Sequence, residues 1–426
     1  MRGRRMRRGR FHPKLIRRDP METLRPTTED EAIEAVGWAC QGEHALEIVS
    51  GGSKRGLGRP AGAAALLDLS GLAGIALYEP EELVLTARPG TTLAEIDARL
   101  AQHGQALAFE PPDLGPVLGA GPGLATLGGC MAANLSGPRR FKSGAARDHI
   151  LGVRAVSGRG ELFKSGGRVV KNVTGYDLCK LLAGSWGTLA AMTEITVKVL
   201  PAAEKLRTVL VYGLDDEAAV DAMTRALGGP FEVSGAAHLP AGIAALSGVG
   251  RVRDPGSSVT ALRIEGPEPS VLARTASLRG LFADGHALDE LHGHNSSAFW
   301  REVGEARFHA AGEAILWRLS VPPAGGAAVA GRIADAFEVR AFYDWGGGLV
   351  WLALPPGAED AGAEAVRAAL GPAGGHATLI RAPEEVRRRV PVFHPQPPGL
   401  AALSERVKQA FDPRNILNPG RMGGGR

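Results

Sequence analysis

Three cysteines, Cys40, Cys130 and Cys179, are all that 426 residues contain. They are too few and too far apart for a disulfide framework, a zinc knuckle or an iron–sulfur cluster held by this chain alone. No run approaches the ~18 apolar residues of a membrane span. The opening residues also lack the apolar segment that a secretory signal carries after its charged region. These absences set the expectation of a reducing, cytoplasmic compartment, with membrane contact peripheral at most and no metal held by the chain itself. The familiar nucleotide loops are missing too. "GAGPGL" supplies Gly119 and Gly121 but has Leu124 in the third glycine position, and "GVGRVR" supplies Gly248 and Gly250 but has Arg253 there. No glycine loop ends in Gly–Lys–Ser/Thr, so both the ordinary dinucleotide fold and the P-loop are disfavoured.

Acidic residues are absent from positions 1–18, which hold nine Lys or Arg. Without that stretch the chain carries 40 basic against 45 acidic residues, so a basic tail precedes a mildly acidic body. Nucleic-acid binding calls for positive charge on a folded face, and this distribution does not supply it. The tail is compatible with contact to an acidic surface, with a disordered leader, or with translation from Met21.

What is present in quantity is glycine, 59 residues, with 29 prolines. Neither is arranged in a period, which points to a loop-rich α/β protein whose backbone approaches something closely. Thr28 and Glu31 have the spacing of a capping box, and Ile33, Val36 and Cys40 follow at helical intervals. "ALEIVS" reads as a strand with "GGSKRGLG" as the turn after it, and "ELVLTARPG" as another strand. Thr92 and Glu95 open a second capped helix, with Leu93, Ile96 and Leu100 inward and Gly104 as its stop. "DHILGVRAVSGRGELFKSGG" reads as a hairpin around Ser157–Gly160. A short buried helix begins at Asp177, and "LAAMTEITVKVLP" closes the region as a strand. From residue 202 the texture becomes that of a separate α/β unit. Residues 391–426 differ again: an amphipathic helix with Leu400, Leu403, Val407 and Phe411 on one stripe breaks at Asp412–Pro413.

Five glycine turns follow strands in the first region: Gly51–Gly52, Pro89–Gly90, Gly128–Gly129 with Ser136–Gly137, Gly175, and Gly184–Gly187. Singly, each is an ordinary chain reversal. Interleaved with Lys54, Arg55, Arg139, Arg140, Arg147 and Lys171, they suggest backbone concavities for a large anion.

The order "SGGSKRGLG", "PGTTLAEI", "TLGGCMAANLSGPRR…GAARDHILG" and "KNVTGYDLCKLLAGSWGTLAAMTEITVKV" resembles the FAD-binding domain of the vanillyl-alcohol oxidase/p-cresol methylhydroxylase (PCMH-type) family. The terminal "VKQAFDPRNILNPGRM" is similar to that family's closing segment. Within the family, "LWRLSVPP", "YDWGGGLVWL" and "VFHPQPPGLAAL" resemble the E subunits of bacterial glycolate oxidases. The resemblance implies an α+β fold: a two-part FAD-binding domain over 21–201, an α/β cap or substrate domain over 202–390, and a segment 391–426 returning to the flavin. Residues 1–20 form the tail.

By the same resemblance, Gly51, Gly52, Ser53 and Lys54 form a first pyrophosphate loop, joined by Pro89 and Gly90. Thr126, Gly128, Gly129, Ser136 and Gly137 form a second flavin-contacting stretch, with Arg147 as an anchor. Lys171, Thr174, Gly175, Tyr176, Asp177, Gly184, Gly187, Thr188 and Ile195 follow, and Asn418 and Arg421 close the site with Gly420. Cys130 is expected to be packing, while Asn134 is left open between a flavin contact and a helix-interior position. Relatives with covalent flavin carry a histidine where this chain has Ser53, so the FAD is expected to be noncovalent.

A 2-hydroxy acid needs a base for its hydroxyl and a cation for its carboxylate. The "HxxxGDGNxH"-like motif of related D-2-hydroxy-acid dehydrogenases is not found, and His292 and His294 are a poor substitute. No catalytic residue is assigned; His376 and His394 remain as candidate bases. The resemblance therefore implies glycolate oxidation in a complex with a catalytic flavoprotein subunit and an iron–sulfur subunit. A stand-alone FAD oxidoreductase and a non-catalytic flavin-fold scaffold are the alternatives.

Overall fold

The computed structural model describes residues 22–168, 175–358, 360–372 and 374–423. The basic tail, Lys171 and Thr174 lie outside them. Local sequence signals govern the first elements. The helix Glu29–Gly42 starts at Thr28, whose side chain accepts from Glu31 N. The reciprocal bond of the box is displaced by one residue, because the Glu31 carboxylate accepts from Thr27 N at 2.7 Å. The helix Leu93–Ala101 is capped by Thr92 and buries Leu93, Ile96 and Leu100 at helical spacing. Losing a side chain such as Ile96, which is fully buried, typically costs ~2–5 kcal/mol in a close-packed core.

Two larger sheets, and a two-stranded pairing of Gln105–Ala106 with Leu200–Pro201, make up the first half. Glu22–Leu24, Ala65–Asp68 and Leu46–Val49 form a parallel three-stranded sheet, with Ala65–Asp68 central. Ile75–Glu79, Val84–Ala87, Ala190–Lys198, Ile150–Ser157 and Leu162–Gly166 form an antiparallel five-stranded sheet in that order. The last two strands are the expected hairpin. Residues 205–381 build a single antiparallel sheet of eight strands, with Leu288–His292 at one edge and His376–Arg381 at the other.

The alternation of side chains along these eight strands determines how the molecule is assembled. One face carries Leu210, Ala237, Ala261, Leu316, Phe342 and Trp351, and these join the core of the five-stranded sheet. The other carries Val209, Leu262, Trp317, Tyr343 and Leu352, and is covered by the helices Asp216–Gly228, Glu268–Phe282 and Gly326–Ala334. The large sheet thus lies over the first half like a roof, with these three helices outside, while the helix Gly293–Gly304 packs Phe299, Trp300 and Val303 into the inner core.

The chain then returns. Leu417 bridges in parallel to Leu46, and Leu46 N donates to Ile416 O at 2.7 Å. Buried Asp412 fixes this return: its carboxylate accepts from Ile416 N at 3.0 Å, Leu417 N at 2.7 Å and Lys408 Nζ at 2.5 Å. The preceding helix, Pro398–Phe411, departs from its expected stripe. Val407 and Phe411 pack on the core, but Leu400 and Leu403 are each 48% exposed. The reason is positional, since only the helix's last turns reach the five-stranded sheet, where the Phe163 and Phe411 rings meet at 5.8 Å. Among the described residues, no helix is long and apolar enough to cross a membrane.

Candidate functional site

A cleft of about 720 Å³, open to solvent, lies where the strand Leu46–Val49, the helix Leu127–Ala133, the turn around Trp186–Gly187 and the returning segment meet. The loops that form it are bonded to one another. Thr126 caps the helix by accepting from Gly129 N, and its hydroxyl also pairs with Ser50 Oγ at 2.9 Å. Gly128 N donates to Pro89 O at 2.9 Å. A β-carbon on Gly128 would lie 2.6 Å from Pro89 Cβ, so glycine is what allows the two loops to close.

The far wall depends on a second glycine. Gly187 has φ +68°, and a β-carbon there would lie 2.7 Å from Asn418 Nδ2. That approach lets Asn418 donate to Trp186 O at 2.8 Å while its Oδ1 accepts from Ile48 N at 2.9 Å. One amide side chain therefore ties three segments of the cleft together.

The cations of the wall are not equivalent. Glu47 accepts from Arg55 Nη2 at 2.6 Å and from Arg421 Nη2 at 2.9 Å. Burial raises the Glu47 pKa, but the bonds and charges of the two arginines outweigh this and hold it below the usual range. Arg55 and Arg421 thus share one carboxylate, which engages both guanidinium groups and leaves the trio one positive charge. The Lys54 ammonium has no hydrogen bond or ion pair among the described residues; burial lowers its pKa, outweighing the opposing effects of Cys130 and of the Asp113 charge. Its Nζ lies 3.6 Å from where a β-carbon on Gly129 would stand. A half-buried cation without a partner, set over a glycine turn, is suited to a phosphate-bearing ligand. The rest of the wall, including Ile48, Leu69, Ala132, Trp186 and Met192, is apolar and suits a flat ring. The donor set fits FAD.

Of the residues expected at the site, the structure brings Gly52, Ser53, Lys54, Pro89, Thr126, Gly128, Gly129, Gly187, Asn418 and Arg421 to this cleft. Others stand elsewhere. Gly90 packs under Leu69 and Leu72. Ser136 Oγ accepts from Ala146 N, and Gly137 O accepts from Trp345 Nε1 under the large sheet. Arg147 is exposed, while its backbone N–H binds Asn134, the left-handed cap of the helix Leu127–Ala133. Tyr176 is 92% exposed, and Asp177 caps the helix Leu178–Leu182. Thr188 donates to Ser185 O, and Ile195 is interior to its strand. Gly51, Gly175 and Gly184 have positive φ without lining the cleft. Cys130 is buried as packing. Sequence reasoning missed Trp186, a tryptophan at φ +56° between two glycines, and that unusual "GSWGT" context was the available signal.

With this geometry in hand, the comparisons with known proteins are specific. Residues 20–166 match the family described as "FAD binding domain". Among solved structures, the 4-ethylphenol oxidase of Gulosibacter chungangensis has a TM-score of 0.71 at 16% identity, covering 95% of this chain and 89% of that one. p-Cresol methylhydroxylase has a TM-score of 0.67 at 16% identity, with the same coverage. Fold and cleft thus define a PCMH-type FAD-binding fold. Glycolate oxidase subunit GlcE of Escherichia coli K12 is 34% identical over 397 residues, 92% of this chain and 96% of that protein. Glycolate oxidase subunit GlcD of Bacillus subtilis is 30% identical over 208 residues, covering 48% of this chain and 42% of that protein. The chain belongs to the GlcE family within the PCMH-type FAD-binding oxidoreductases.

Proposed function

We propose that this chain is the FAD-binding subunit of a complex that oxidises glycolate, or a closely similar 2-hydroxy acid, to the corresponding 2-oxo acid, glyoxylate in the first case. A catalytic flavoprotein subunit and an iron–sulfur subunit complete the complex. The observation that carries this reading is the unpartnered Lys54 beside the Gly128–Gly129 turn, in a cleft closed by a returning C-terminal segment. Similarity to GlcE along nearly the whole chain supports the substrate class.

In this reading, residues 21–201 and 391–426 hold the cofactor and 202–390 form the cap. Lys54, Gly52, Thr126, Gly128 and Gly129 bind the pyrophosphate. Trp186 and Asn418 position the ring system, and Arg421 braces the first loop through Glu47. Bound FAD supplies the two-electron chemistry of the reaction. The protein's part is to bind, orient and shield. Ser53 stands in the cleft and cannot form the histidyl linkage, so the flavin is noncovalent and leaves the protein on acid precipitation. In this reading, electron transfer onward falls to the partner subunits.

The test is to purify the chain with FAD, record its visible spectrum and add glycolate without oxygen. A spectrum that stays oxidised until the partner subunits are added is the expected result. Bleaching by glycolate alone would give the stand-alone reading, and failure to take up FAD would remove the flavin assignment.

A further inference from the structure

The face of the eight-stranded sheet that lies over the first half carries more than apolar side chains. Register places Arg318 opposite Trp351 on one neighbouring strand and opposite Thr378 on the other, with His376 two residues along from Thr378. These residues share the roofing face with Leu316 and Phe342. The Arg318 guanidinium carbon lies 5.0 Å from the centre of the Trp345 indole and 5.9 Å from that of Trp351. Arg140, from the short helix Arg140–Ser143 of the first half, lies 4.6 Å from the same Trp345 ring. Two cations from opposite sides of the junction therefore meet at one indole. That ring is fixed by its Nε1 bond to Gly137 O at 3.0 Å.

Neither guanidinium has a hydrogen bond or ion pair to a carboxylate among the described residues. Asp344 is near, but its Oδ1 accepts from Trp345 N at 2.7 Å, and burial pushes its pKa to about 7. It is a poor counter-ion. Burial, followed by the charge of Arg140, brings the Arg318 pKa down to about 10. The cluster also continues toward the cleft. His376 feels the fields of Arg318 and His394, and Phe393, next to His394, packs on Trp186 of the cleft wall at 5.0 Å. Like charges assembled without an anion, with Arg140 exposed, leave negative charge to be supplied from outside.

We propose that Arg140 and Arg318 bind the carboxylate of a small organic acid against Trp345, forming a substrate-recognition site between cap and flavin-binding half. This deepens the 2-hydroxy-acid reading and rests on it for the identity of the acid. Arginine suits the role because its planar fork pairs with both oxygens of a carboxylate. Neither residue transfers a proton; they position the acid.

Oxalate, a dicarboxylate with no hydroxyl to oxidise, is the probe. Isothermal calorimetry on the FAD-loaded chain should show saturable binding that weakens tenfold or more in Arg318→Gln and in Arg140→Gln, with FAD content unchanged. Arg318→Lys should recover part of the loss. The double variant should lose less than the two singles combined, because both act on one ligand. Arg140 is exposed, so its variant remains informative if Arg318→Gln does not fold. Oxalate binding unchanged in both variants, no binding by the parent protein, or equal binding of sulfate would each overturn the proposal. A chain that binds oxalate through these arginines but leaves glycolate unoxidised, even with its partner subunits, would overturn the glycolate reading and keep the site.

Discussion

Arg263 and Glu110, 153 residues apart, form a two-pronged ion pair: Nη1–Oε1 is 2.8 Å and Nη2–Oε2 is 3.0 Å. Arg263 stands on the large sheet and is 1% exposed, while Glu110 belongs to the first half. Arg139 adds to the joint through its backbone N–H to Glu110 at 2.7 Å and its side chain to Glu265 at 2.5 Å. A buried pair of this kind contributes less net stability than its geometry suggests, yet breaking it is costly.

Arg263→Met should therefore destabilise the protein by ~3–5 kcal/mol, since it removes both prongs of the pair and leaves the Glu110 carboxylate only Arg139. Burial raises the Glu110 pKa, but the charges of Arg263 and Arg139 more than reverse this. Its contribution is thus present above the ordinary carboxylate range and is lost as pH falls through the lowered value. Thermal melts across acid pH check both points. A variant that melts with the parent at neutral pH would mean that the junction is held by other contacts.

Lys54→Met removes the one cleft cation without a partner. Charge-assisted bonds contribute ~1.5–3 kcal/mol, so FAD affinity should fall roughly ten- to a hundredfold. Flavin fluorescence on dilution measures the release. Melting of the FAD-free protein should change little or rise, because a half-buried charge without an ion pair among the described residues has been removed.

Asp412→Ala leaves the Lys408 ammonium buried beside carbonyls alone and frees two backbone N–H groups. The expected loss is about 3 kcal/mol, together with weaker FAD retention, because Asn418 depends on the segment that Asp412 fixes. Limited proteolysis beyond residue 398 should become faster. An intact proteolytic pattern would contradict this role.

Asp344 runs opposite to Glu110 in pH. Burial pushes its pKa to about 7, against an ordinary 3.8. The folded chain therefore keeps a proton that the unfolded chain releases, and stability from this group declines as pH rises between about 4 and 7. Asp344→Asn should gain on the parent over that interval in paired melts at successive pH values. A constant difference would show that the carboxyl is ionised in the fold.

Local order was legible in the sequence wherever the cause was local. The Thr28 and Thr92 caps, the hairpin after Ile150 and the glycine loops depend on residues within a few positions of each other, and the resemblance read from those loops matches the observed fold. What escaped depends on how separate elements dock. Nothing near residue 400 shows that Leu400 and Leu403 overhang the sheet while Phe411 reaches it. Arg140, Arg318 and Trp345 come together only once the roof is set on the first half. Within the site, the paired and unpaired cations look alike in sequence; Glu47 distinguishes them by engaging Arg55 and Arg421 and leaving Lys54.

Asn418 bonds to Ile48 across 370 residues, and this distance has a consequence for how the protein is made. A ribosome that has finished the first glycine loop has nearly the whole chain still to synthesise before the cleft acquires its last wall. Closure of the cleft must then wait until residue 418 has been made. A product truncated before residue 418 would carry the earlier loops of the cleft and still lack the side chain that ties Ile48 to Trp186.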